Sequence, residues 1–519
     1  MSRMFNKSYI PALILTCLSV SIGRVDASPL PKGAYPASSR DKRIEKSFLV
    51  DGRLVSLDGS SADIVVTAVE GDQAQLVVEL EYWSSNDEWM QLVESEFDVE
   101  LHESPSEVAL RIAEMPHAGK KGWLKRIFDS SETYYSIEIT LEVPRGTDLE
   151  IDNRYGDVEI DNIGGRLDLV NTSGDVTAEG LAGGADIEIS YGDVTLSDLE
   201  GDLSLIVSSG TVEATNVRGD AKVSNRYGDV EISEVTGSLD LESSSSGIDV
   251  ENIGGRAVVT GSYADARVVG VEDSIKIEVS SGNLKLSQVG GGAEVATSYG
   301  TVKIEGIGED LILRSSSGEV EVRDIGGGAR IENSYGAVLV EEVQGSVEIN
   351  NPSGGVTVEE VGGELDIRSS YEMIRARKIV GGLTISATSA GVRAEEIGGR
   401  AEVTTSYAGV ELVDVGGPID IRNQSGRVEV SGLGQGALTG QNRVETSYGD
   451  VDFSWPTGGG RMAFSLESTN GSIHTDFPAV NSKRGSRENA EGEVGEEGSG
   501  PGATVTLTAR SGSIFMRTD

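Results

Sequence analysis

Tyr155, Tyr191, Tyr227, Tyr263, Tyr299, Tyr335, Tyr371 and Tyr407 stand thirty-six residues apart, and Ser173, Ser209, Ser245, Ser281, Ser317, Ser353, Ser389 and Ser425 fall at the midpoints. A phenol ring offers a large apolar face and a polar tip, so rings at a fixed interval could stack on a repeating polymer. The plainer role is packing, each ring laid over the small serine corner of the neighbouring repeat, and this is the first expectation. The alternative is a ligand-binding ladder, formed by Tyr191, Tyr227, Tyr263, Tyr299, Tyr335, Tyr371 and Tyr407, for a glycan or another polymer.

Other chemistry is sparse. His102, His117 and His474 are the only histidines, and none falls within the region of repeats. No HExxH, GxSxG, phosphate-loop or EF-hand spacing occurs, and Gly-Asp recurs mainly at eighteen residues rather than in the unbroken series of nines of calcium-binding repeats. No catalytic residue, cofactor or metal ligand is therefore assigned. The competing class is an extracellular carbohydrate-active β-helix enzyme, a polysaccharide lyase or hydrolase, whose acids and bases would cluster on one outer face.

Lys and Arg number 43 against 85 Asp and Glu, a formal charge of −42. That balance excludes a nucleic-acid partner, which needs a basic face to neutralise phosphates. The charge is banded: Glu213, Glu231 and Asp249 are followed at the same spacing by Arg267, Lys285 and Lys303, then Glu321, with Arg375 and Arg393 before Glu411 and Glu429. Screening by water and salt is the expected fate of these columns. The alternatives are acidic bands that collect divalent cations and a basic band that meets an acidic polymer.

The elements that must position these residues are set by a period of eighteen. Stepping from Ile163 gives Leu181, Leu199, Val217, Val235, Ile253, Val271, Val289, Ile307, Ile325, Val343, Val361, Ile379, Ile397, Val415 and Leu433 without a gap. Further columns run through Val158, Ile160, Leu167 and Leu169, giving five inward positions per repeat. Apolar residues two apart are the mark of a strand with one face buried. Gly-containing corners separate the pairs, Ile163-Gly164-Gly165 on one side and Arg154-Tyr155-Gly156-Asp157 on the other. The reading is an all-β chain, a single-stranded parallel β-helix or β-solenoid of about sixteen eighteen-residue coils over residues 151–436, capped by β regions at both ends. One coil alone cannot offset the conformational entropy of its residues, so stability must come from neighbours.

The flanks are read more coarsely. Arg3 and Lys7 precede an apolar run from residue 10 to 22, and Val25-Asp26-Ala27 supplies small residues, so residues 1–27 read as a signal peptide. Cys17 is the only cysteine, leaving none after cleavage, and no second apolar run is long enough to span a bilayer. Export to a periplasm, cell surface or medium is expected, with no transmembrane span in the mature chain. Residues 28–47 read as a flexible linker, 48–150 as an N-terminal β cap outside the eighteen-residue register, and 437–519 as closing rungs with a disordered loop over 481–502. A basic stretch at residues 119–128 reads as a surface loop, or as a contact for an anionic membrane. Tyr448 follows Tyr407 by forty-one residues, marking a slip.

The iterated Ser-Tyr-Gly-Asp-Val and Ser-Ser-Gly-x-Val corners, the exported N-terminus and the final Ser511-Gly512-Ser513-Ile514 strand resemble the bacterial putative-adhesin family of β-strand-repeat proteins, a domain of unknown function. The resemblance covers roughly residues 47–519 and implies a β-solenoid at the cell envelope with no established catalytic residues, so no site is carried over. Ala264, Glu372 and Ala408 depart from the pattern by replacing the Gly after Tyr. The function expected is a noncatalytic exported adhesin or cell-envelope protein presenting a repetitive surface, its partner a cell-surface glycan or an envelope protein.

Overall fold

The computed structural model describes residues 39–116, 133–245, 247–434, 436–495 and 502–518. The signal-peptide reading and the basic stretch at 119–128 lie outside them. The chain divides into a larger unit, comprising Ile44–Val78, Asp98–Ala113 and Glu138–Asp519, and a smaller one drawn from the remaining segments.

In the larger unit each eighteen-residue coil supplies two strands, as in Leu167–Ser173 with Val176–Leu181, then Ala185–Tyr191 with Val194–Leu199. Pairing is parallel and joins equivalent positions of successive coils: Leu167 faces Ala185, Leu169 faces Ile187, and Val176 faces Val194. The same offset still holds where Val415 meets Leu433. Two parallel sheets thus enclose a continuous aliphatic core, the β-solenoid expected from the period.

Most coils bury six positions rather than the five expected. In the coil from Leu167 these are Leu167, Leu169, Asn171, Val176, Ala178 and Leu181. Asn171 was missed because its column mixes Asn153, Ile189, Val207, Asn225 and Ser243, which no search for apolar recurrence detects. The last inward residue sits three positions after its predecessor, not two, so the strand must gain a residue. A left-handed residue does this in most coils: Asn162 has φ 60°, Asp198 55°, Asn216 58° and Glu234 58°, each just before the Ile163 column. A single residue with positive φ bulges the strand and turns the next side chain inward. Asn and Asp tolerate that conformation best.

Both ends of the solenoid are built out of sequence order. Leu54–Ser60 pairs in parallel with Leu149–Tyr155 on one side and Glu107–Ile112 on the other. Asp63–Val69 likewise lies between Val158–Asp161 and residues 138–144. The region expected as a cap outside the register therefore contains true coils, whose partners are simply not eighteen residues away. At the other end Ala503–Ala509 is inserted between Gln441–Tyr448 and Met462–Ser468, and Ile514–Thr518 between Val451–Trp455 and Ile473–Thr475. The outer strand of one sheet at each end is then covered by an antiparallel strand: Val99–Glu103 on Glu107–Ile112, and Arg487–Val494 on Met462–Ser468. An antiparallel neighbour ends the run of parallel coils, which blunts an edge that would otherwise accept another chain.

Three details depart from expectation. Residues 40–47, read as linker, belong to the strand Arg40–Leu49, whose alternate residues are shielded. Most of the loop read as disordered is a hairpin, Val480–Arg484 paired antiparallel with Arg487–Val494. The slip after Leu433 is a five-residue insertion at a Gly corner: Asp420 pairs with Arg443, and the added residues form the 3-10 turn Ala437–Thr439 with Ala437 and Leu438 buried.

The smaller unit holds the single α-helix among the described residues, Asp87–Glu96, which strand periodicity did not anticipate. Asn86 caps it, its Oδ1 accepting from the Glu88 and Trp89 amides. Tyr82 packs edge-on against Trp89 and donates its hydroxyl to Glu94 at 2.6 Å.

Candidate functional site

The corner between the two strands of a coil is made by the residues at Tyr-Gly-Asp or Ser-Gly-x. Gly in this position has positive φ in most coils, as at Gly174 (132°), Gly192 (148°) and Gly300 (118°). A Cβ on any of them would collide with the carbonyl of the equivalent Gly one coil earlier, so the corners approach too closely for a side chain. Ala264, Glu372 and Ala408 are not among the residues with positive φ. Those three coils turn differently, while the following core residues Ala266, Ile374 and Val410 stay buried.

Two polar devices hold the corners together along the solenoid. Buried Asn side chains bridge them from within: Asn225 Nδ2 donates to the Gly210 carbonyl at 3.0 Å and to that of Gly228 at 2.9 Å. Asn171, Asn333 and Asn423 repeat the same two contacts. The Asp after Gly bridges them from outside, Asp157 Oδ1 accepting from the Asp175 amide at 2.9 Å and Asp175 Oδ1 from Asp193 at 2.9 Å. The acidic residue of the repeat is thus explained as a backbone acceptor. The signal for it was the recurrence of Asp at a corner rather than on a strand.

This scaffold places the tyrosines. Ser173 pairs with Tyr155 on one side and Tyr191 on the other, and Ser281 lies between Tyr263 and Tyr299. Successive rings are therefore two strand spacings apart, about 10 Å. From Tyr155, 56% exposed, to Tyr263, 72% exposed, and including Tyr191, Tyr227, Tyr299, Tyr335, Tyr371, Tyr407 and Tyr448, every ring is more than half accessible. Packing over the serine corner, the first expectation, accounts for less than half of each residue's surface.

Beside the rings runs a row of serines one strand spacing apart, including Ser280, Ser298, Ser316 and Ser334. Here the outer face carries a groove of about 450 Å³, lined in part by these serines, Arg314 and Glu332. A second hollow, about 750 Å³, lies at the opposite corner over Ile379, Ile397, Val415 and Leu433, where Gly398, Gly416 and Gly434 present no side chain.

The charge bands are broken by ion pairs at their borders. Arg267 pairs with Asp249 at 2.7 Å and with Glu251, and Lys303 with Glu321 at 2.7 Å, which holds the Glu321 carboxyl below the usual range. Arg393 meets Glu411 at 3.6 Å. Among the described residues no group of three or more acidic, His or Cys side chains is placed to hold a metal ion. His474, contrary to expectation, lies in the solenoid, on the outermost coil's strand Ile473–Thr475. Its Nε2 is 3.0 Å from Ser472 Oγ and its ring stacks on Phe515. Among the described residues no carboxylate hydrogen-bonds that ring, so this Ser-His pair lacks the third group that would orient a base.

The architecture has a family. Residues 55–262 and 366–517 match the model of the Toastrack DUF4097 domain, more than half of the chain, and the protein belongs to that family of β-repeat proteins of unknown function. No curated protein matches. Solved structures similar to the chain include a putative cell adhesion protein from Clostridium sporogenes, 8% identical over 92% of this chain and 100% of that one, with a TM-score of 0.13. Others are a putative adhesin from Bacteroides fragilis, 13% identical over 61% and 96% with a TM-score of 0.13, and one from Parabacteroides merdae, 11% identical over 75% and 96% with a TM-score of 0.12. Family membership rests on the matched residues alone. No helix among the described residues is long and apolar enough to cross a membrane.

Proposed function

We propose that the protein is a noncatalytic adhesin of the cell envelope, exported and presenting its tyrosine corner to a repeating polymer, with a surface glycan as the partner. The observation that carries this reading is the tyrosine column: rings on alternate coils of one corner, each more than half exposed. Large aromatic side chains left in water on a regular lattice give up apolar area that a partner recovers on binding. Multiple equivalent contacts along a polymer add avidity without any one contact being strong.

The test is a panel of neutral and acidic soluble polysaccharides offered to the purified protein. Saturable binding without turnover is expected. Tyr299→Ala is expected to change stability by less than about 1 kcal/mol, since most of the ring is already in water, and to lower polymer affinity, with a deeper loss on adding Tyr263→Ala and Tyr335→Ala. Cleavage of any polymer in the panel would overturn the noncatalytic reading. Unchanged affinity in the triple variant would remove the tyrosines from the site.

A further inference from the structure

The corner is not uniform along its length, and its differences in charge select a place and a ligand class. In the first seven coils with a corner acid position, five carry Asp: Asp157, Asp175, Asp193, Asp229 and Asp265. In the next five the same position is Asn283, Thr301, Glu319, Ala337 and Gly355. A chain of net charge −42 thus has a stretch, around Tyr299 and Tyr335, where the rings are flanked on one side by almost no charge.

On the other side of those two rings lies the groove of about 450 Å³. Ser280, Ser316 and Ser334 are exposed along it, and among the described residues their hydroxyls make no hydrogen bond, leaving donors and acceptors free one or two strand spacings apart. Thr297, Ser315 and Asn333 also line it. Each belongs to the inward column of Asn225 and is more than nine-tenths buried, with Thr297 Oγ1, Ser315 Oγ and Asn333 Oδ1 unpartnered among the described residues, so the hydroxyl groups that the groove exposes are the serines of the outer row. The charged side chains of the lining are matched by their own neighbours: Glu278 by Lys276 at 2.7 Å, and Arg314 by Glu294 at 3.2 Å and Glu332 at 3.9 Å. Nothing there is left to attract a polyanion or a polycation.

Resting on the reading of the tyrosine corner as a polymer site, we infer that binding is centred on the coils between Ser280 and Pro352, and that the ligand is an uncharged, hydroxyl-rich polysaccharide. Tyr299 and Tyr335 supply the stacking platforms, and the serine row supplies hydrogen bonds to sugar hydroxyls. Within the tyrosine column the acid-flanked Tyr191 and Tyr227 lie away from this centre and contribute less.

The experiment measures the affinity of the full chain for a soluble neutral glucan, hydroxyethyl cellulose, and for polygalacturonate as the charged counterpart. Tyr299→Ala with Tyr335→Ala is compared with Tyr191→Ala with Tyr227→Ala. Ser316→Gln with Ser334→Gln fills the groove with neutral side chains and tests it separately, and thermal melts check that every variant keeps its fold. The expected result is tighter binding of the neutral glucan, a loss of about tenfold or more in the Tyr299/Tyr335 and Ser316/Ser334 variants, and a clearly smaller loss in the Tyr191/Tyr227 variant. Equal losses in both tyrosine pairs, or preference for the polyanion, would overturn this localisation and ligand class while leaving the ladder in place. Failure of both polymers to bind would overturn the ladder itself, and this inference with it.

Discussion

A Cβ on Gly300 would occupy the space of the Gly282 carbonyl oxygen in the coil below. The contact runs along the solenoid axis, so one side chain at this corner forces two coils apart. Gly300→Ala must also hold an alanine near φ 118°, a region that costs residues with a side chain of order 1–3 kcal/mol. We expect a loss of at least about 2 kcal/mol by denaturant titration, whereas Ala264→Gly, where φ is not positive, changes stability by less than about 1 kcal/mol. Equal small effects at both positions would refute the close-approach account of the corner.

The buried asparagines make a second prediction. Asn225→Ala removes the donor shared by the Gly210 and Gly228 carbonyls and is expected to cost about 1–3 kcal/mol. Ser233→Ala, which loses only a hydroxyl contact with Thr215 on the outer face, is expected within about 0.5 kcal/mol of the parent. Matching melting shifts for the two would show that the inner bridges contribute nothing special.

Ending the chain at residue 502 removes both strands that lie between earlier coils. Val444 and Leu507, and Phe464 and Val505, are register partners across the resulting gap. Hydrogen exchange is expected to accelerate over residues 441–475 while protection persists over residues 167–415, because coils depend mainly on their neighbours. Unchanged exchange over 441–475 would mean that these coils hold without the terminal pair.

Tyr82 gives a pH dependence. Burial, and then the hydrogen bond to Glu94, push its hydroxyl up to about 12. The folded state therefore keeps the proton more tightly than the unfolded chain does, so this contribution is fully present below about pH 10 and fades as pH rises toward 12. Tyr82→Phe should remove that part of the alkaline slope. Identical slopes for parent and variant above pH 10 would assign it to other groups.

Calcium provides a control on the acidic bands. With Arg267 pairing to Asp249 and Lys303 to Glu321, millimolar Ca²⁺ is expected to raise the melting midpoint no more than sodium chloride of equal ionic strength. A larger shift with Ca²⁺, lost in Glu213→Gln with Glu231→Gln, would show specific cation binding by the Glu213, Glu231 and Asp249 column.

The sequence by itself determined the coil, its length, its two corners and five of its inward columns. In this fold every residue's partner is the same position eighteen residues on, so a tertiary contact such as Val176 with Val194 appears directly as a repeat. The tyrosine and serine alternation was legible for the same reason. Only the tertiary structure decided what breaks that rule. Leu54–Ser60 and Ala503–Ala509 enter the stack between strands distant in sequence, and a single distant pairing has no period by which to be read. The Asn225 column escaped because it mixes bridging asparagines with residues such as Ile189, Val207 and Ser243, so no shared hydropathy marks it. The fraction of each tyrosine left in water, and the cancelling of charge around Arg314, depend on side chains from neighbouring coils meeting at a surface, where packing distance and not residue order sets the outcome.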